Sequence, residues 1–144
     1  MNITPSNSTV ALEIILCGNE FDLEYVTNKI GIQPNFKRTK LDKRRNGEPF
    51  DYTAWGYVYS AHPSWNIADH FNEMLKMFKG KEKTLVEVAK KCNAEWNLIY
   101  VIEIENGDKP SIGFTKPMIS FLYEIGAEVE FDYYIYSLYK EENQ

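Results

Sequence analysis

Two stretches alternate so strictly that little except a β-sheet accommodates them. Across residues 95–105, Trp96, Leu98, Tyr100, Ile102 and Ile104 fall on one side. Across 127–136, Ala127, Val129, Phe131, Tyr133 and Ile135 face away from Glu128, Glu130, Asp132, Tyr134 and Tyr136. Successive side chains of a strand point to opposite faces, so each pattern describes one buried and one wetted face. Residues 10–17 read as a third strand, with Val10, Leu12, Ile14 and Leu16 together, and 52–60 as a fourth, with Trp55, Tyr57 and Tyr59 opposite Ala54, Gly56 and Val58. A short strand is expected near 36–40.

Helical periodicity fills the intervals. Asp22 caps a helix ending at Ile30, with Leu23, Val26 and Ile30 on one side and Gly31 as the stop. Ser64 opens the clearest helix, whose stripe Ile67, Phe71, Met74, Leu75 and Phe78 closes at Gly80. Another runs through Leu85, Val88, Ala89 and Cys92 to Asn93. The last starts at Thr115, has Pro117 in its first turn, passes Met118, Leu122 and Ile125, and stops at Gly126. A strand, a helix ending in Ile-Gly and extended chain thus occur twice, early and late. The expected fold is α+β: a largely antiparallel sheet with helices on one face, in a ferredoxin-like arrangement of two β-α-β halves. One domain is expected over 10–139, with tails at 1–9 and 140–144; a chain of 144 residues suffices for a real core.

Several functional classes are disfavoured. No apolar run approaches the roughly 20 residues that span a bilayer, and the polar N-terminus lacks the features of a secretory signal. Cys17 and Cys92 are then reduced thiols, and a cytoplasmic location is expected. His62 and His70 form no zinc spacing with either cysteine, so no metal is expected. A phosphate-cradling glycine loop and a dinucleotide fingerprint are both missing. Neither a cofactor nor a catalytic residue is indicated.

What remains is charge. The chain holds 16 Lys and Arg against 21 Asp and Glu, a net −5, yet residues 37–45 contain six cations and one acid. Lys37, Arg38, Lys40, Arg44 and Arg45 suit phosphate groups, Gly47 permits close backbone approach, and Trp55, Tyr57 or Trp65 supply flat faces for a ring. The leading expectation is a non-catalytic binding protein that captures a small phosphate-bearing, nucleotide-like ligand. Extended nucleic acid is disfavoured because the rest of the chain is strongly negative. The alternative is an immunity-type or inhibitor protein that meets a basic protein partner through Glu103, Glu105, Glu128, Glu130 and Asp132. Edge strands and ten tyrosines also make a homodimer a candidate.

The pieces Ile30-Gly31-Ile32-Gln33-Pro34 and Asn46-Gly47-Glu48-Pro49, the strand around Trp55, the helix from Phe71 to Phe78 and the ending from Leu122 to Tyr134 follow one another in a familiar order. In these the chain resembles the bacterial family called domain of unknown function 4279, over nearly its whole length. Its segment from Lys40 to Arg45 is more basic than the family pattern. The resemblance implies a small cytosolic α+β domain and carries over no catalytic residue.

Overall fold

The computed structural model describes residues 8–63 and 67–136, and among them five strands and four helices. In chain order these are β1 (Thr9–Gly18), α1 (Leu23–Ile30), β2 (Phe36–Arg38), β3 (Thr53–Pro63), α2 (Ile67–Phe78), α3 (Glu82–Cys92), β4 (Ala94–Glu105), α4 (Lys116–Ile125) and β5 (Glu128–Tyr136). The fold is α+β, with one mixed sheet in the order β2-β3-β1-β4-β5. Every neighbouring pair is antiparallel except β4–β5.

This order interlocks two strand–helix–strand units. β1 and β2 run the same way with β3 between them, and β3 and β4 run the same way with β1 between them. Each helical connection therefore skips a strand, the split β-α-β pattern. The halves are not those suggested by the recurring Ile-Gly. The first is β1-α1-β2 and the second β3-α2-α3-β4; α4 and β5 are an addition that widens the sheet. Residues 106–115 and α4 return the chain to the end where β4 began, so β5 is parallel.

Helix starts and stops follow local chemistry. The Asp22 carboxylate accepts from the free backbone N–H groups of Glu24 at 3.0 Å and Tyr25 at 3.4 Å. Gly31 and Gly126 close α1 and α4 in the left-handed region, at φ +78° and +69°. The Ser64 cap lies outside the described residues.

All four helices cover one face of the sheet. Val10, Leu12, Ile14 and Leu16 of β1 and alternate residues Trp96 to Ile104 of β4 join Val26, Phe71, Phe78, Leu85, Val88 and Phe121 in one buried cluster. At its centre Trp55 and Trp96 meet edge to face, with ring centroids 6.0 Å apart. Both indole N–H groups donate, to Thr27 Oγ1 at 2.9 Å and to the Leu85 carbonyl at 2.8 Å, so neither ring carries an unmet polar cost. His70 is buried too.

Among the described residues no helix lies against the opposite face. Ala11, Glu13, Ile15 and Cys17 of β1 point there, beside Ala54, Gly56 and Val58 of β3 and Asn97, Ile99 and Val101 of β4. At the start of the described residues Thr9 pairs in β1, and Ser8 is buried. The Ser8 hydroxyl donates to the Asp108 carbonyl at 2.6 Å and accepts from the Glu105 N–H at 2.9 Å, pinning the strand's entry to the end of β4. Among the described residues no helix is long and apolar enough to cross a membrane.

Candidate functional site

The basic segment begins on β2, a three-residue edge strand. Asn35 lengthens it by imitating backbone: its amide donates to the Val58 carbonyl at 2.8 Å and its oxygen accepts from the Val58 N–H at 2.6 Å. The register then sorts the cations. Lys37 lies opposite Trp55 and so on the helix side, while Phe36 and Arg38 lie opposite Gly56 and Ala54, on the open side. Small residues across from Arg38 leave room above the sheet for its side chain.

Residues 39–50 form an ordered double turn. The Asp42 carboxylate accepts from the Thr39 N–H at 2.8 Å, and the Asp42 carbonyl accepts from the Phe50 N–H at 3.2 Å. Arg44 N–H donates to the Glu48 carbonyl at 2.7 Å, Gly47 N–H donates back to the Arg44 carbonyl at 2.9 Å, and Lys43 bridges to Pro49. Gly47 has φ +86°, which the turn requires, and open space around it.

These turns bring Phe50 back over β2. The Arg38 guanidinium carbon sits 3.9 Å from the Phe50 ring centroid, 5.1 Å from that of Phe36 and 5.6 Å from that of Tyr52. One of its N–H groups donates to the Tyr52 hydroxyl at 2.7 Å. Arg44 approaches the same Phe50 ring at 4.9 Å and reaches the exposed carboxylate of Asp51 at 3.5 Å. Lys40 donates to the Asn19 side-chain oxygen. The side chains of Lys43 and Arg45 are exposed, with no hydrogen-bond or ion-pair partner among the described residues. The centre of the segment is thus two guanidinium groups held against aromatic rings, flanked by two free cations. Each such contact contributes about 0.5–1 kcal/mol at an exposed position and holds the planar fork in place for an anion.

The expected rings are elsewhere. Trp55 belongs to the core, fully buried, because its strand parity matches that of Leu16 rather than Arg38. Tyr57 is also on the helix side, paired with Tyr59 at 5.0 Å between ring centroids. Burial pushes the Tyr59 hydroxyl up to about 12. Trp65 lies outside the described residues. The aromatics at the site are Phe36, Phe50 and Tyr52, and strand parity was the signal that could have found Phe36. Lys37, separated from Arg38 by the sheet, lines a cleft of about 100 Å³ with Glu24, Asn28, Gln33 and Pro34. Small-molecule pockets occupy roughly 300–1,000 Å³, so this cleft suits water or a simple anion, not a nucleotide.

The carboxylates gather on the open face at the far end of the sheet. The parallel register sets Glu103 beside Tyr134, Glu105 beside Tyr136, and Glu128, Glu130 and Asp132 beside Asn97, Ile99 and Val101. The two rows expected on separate strands therefore share one surface. Thr9 donates to the Glu103 carboxylate at 3.1 Å. Partial burial and the nearby Asp132 raise the Glu13 carboxyl above its ordinary value.

Cys17 lies between the two charged regions. Burial and Glu130 push its thiol up, against the opposing pull of Arg38 and Asn97, so nothing activates it as a nucleophile. Cys92 is likewise raised by burial and Asp22, and both cysteines are free. Among the described residues no three His, Cys, Asp or Glu side chains converge as a metal site.

Comparison with known proteins supplies a family and no chemistry. The chain belongs to the family described as domain of unknown function 4279, whose model matches residues 7–136. No curated protein and no solved structure matches it.

Proposed function

We propose that this member of the domain of unknown function 4279 family is a non-catalytic binding protein that captures a small phosphate-bearing ligand on the Arg–aromatic loop. One observation carries the proposal: Arg38 and Arg44 are pre-positioned against Phe50, with Lys43 and Arg45 unpaired beside them. Guanidinium forks suit phosphate oxygens two at a time, and ordering the arginines beforehand lowers the entropy cost of binding. Since the rings already carry the guanidinium groups, a nucleotide base would stack on the outer plane of Arg44 rather than on Trp55 or Tyr57. The protein would work in the cytoplasm, sequestering a signalling nucleotide in a bacterium or an infected bacterial cell; two free thiols support that compartment.

The test is mass spectrometry of whatever leaves the purified protein on denaturation, followed by calorimetry with the recovered compound or with a panel of nucleoside phosphates. Binding that disappears in the double variant R44A/R45A supports capture at the loop; unchanged affinity removes it.

A second proposal rests on the convergence of the acidic rows. Five carboxylates flank Ile99 and Val101 on an uncovered sheet face, a surface suited to a basic protein partner in the manner of an immunity protein. A stoichiometric partner recovered from lysate and lost on charge reversal of Glu128, Glu130 and Asp132 would favour it over nucleotide capture.

A further inference from the structure

Exposed apolar surface is concentrated at one edge of the molecule. Of the ten large hydrophobic side chains exposed among the described residues, eight lie on β5 or on the chain leading into it. Tyr133, Tyr134, Ile135 and Tyr136 form the second half of β5; Ile119 and Tyr123 stand on α4, and the 106–115 stretch adds two more. Two shallow apolar cavities of about 360 and 340 Å³ run along the helix side of this edge. Among the described residues β5 pairs only with β4, and its outer row of backbone groups has no strand beside it there. An open strand edge coupled to an apolar patch is a template for another strand.

We infer that β5 is a homodimer interface, in which the β5 strands of two copies pair antiparallel about a two-fold axis near Tyr134. Charge selects this occupant and register. Glu128, Glu130 and Asp132 occupy the first half of the strand and the apolar residues the second. With the axis at Tyr134, Tyr133 meets Ile135 of the second copy and Asp132 meets Tyr136, whereas an axis at Asp132 would set two carboxylates side by side. Half-exposed side chains of this size each present on the order of 100 Å². Eight of them approach the ~800 Å² per partner of a standard interface. A head-to-tail contact with the basic edge is less suited, because β2 offers three residues. The dimer does not depend on anion capture, since β3, β1 and β4 separate β5 from β2.

Sedimentation equilibrium of the full chain tests this. The expected result is a dimer at concentrations on the order of 100 µM or below, weakened at least about tenfold by I135D and by Y136D. L41D, at a still more exposed apolar position on the basic loop, should leave it intact, and circular dichroism should show all three variants folded. A monomer at that concentration, a dimer indifferent to both β5 variants, or chains that lengthen with concentration would overturn the inference.

Discussion

Arg38 and Arg44 share the Phe50 ring, yet they differ in what else they hold. Arg38 is half-buried and bonded to Tyr52; Arg44 is exposed, with its ion pair to Asp51 in water. Exposed pairs of this kind contribute 0 to about 1 kcal/mol. R44A/R45A should therefore abolish anion binding and leave the melting temperature nearly unchanged, by calorimetry and thermal denaturation. R38K should lower affinity despite keeping the charge, because an ammonium cannot lie flat on Phe50 while reaching Tyr52. Glu13 gives a pH signature. Its folded carboxyl is raised above 4.5, so the native state holds a proton that the unfolded chain releases, and stability falls as pH rises through the window just above that value. E13Q should raise the melting temperature at pH 7, and its advantage should vanish below the ordinary carboxylate range. An equal advantage at every pH would assign the gain to something other than ionisation.

Among the elements, β3 shows how tightly the middle of the sheet is built. A Cβ on Gly56 would come within 2.9 Å of both the Ile14 carbonyl oxygen and Ile15 Cγ1, whereas one on Gly113 would meet nothing. G56A should cost about 1–3 kcal/mol in chemical denaturation and G113A far less. Most strand and helix positions were legible because period-two and period-3.6 patterns act over a few residues, and caps such as Asp22, Gly31 and Gly126 act locally. What the chain did not disclose was set by register between distant strands. Trp55 follows the basic segment directly, and only its pairing with Leu16 and Lys37 reveals that it faces the helices. The same pairing divides Lys37 from Arg38 and leaves Phe50, not Trp55, beside the cations. The repeated Ile-Gly endings marked helix stops with the same left-handed geometry, not equivalent halves of the fold.

Across the whole molecule, charge is separated along the sheet. Cations gather at β2 and carboxylates at β5, four strand spacings apart, on the order of 19 Å. The screening length at physiological salt is about 8 Å, so the two poles act as independent surfaces, and the proposed anion site and the proposed partner or dimer surface would work separately. The most direct measurement is a titration of the isotope-labelled protein with a nucleoside triphosphate, followed by nuclear magnetic resonance of the arginine side-chain and backbone N–H groups. Shifts should be confined to Arg38, Arg44, Arg45 and the backbone of residues 39–50, and should fade as salt is raised. A titration that leaves those signals still, or moves instead the residues around Lys37 or β5, would contradict anion capture at this loop.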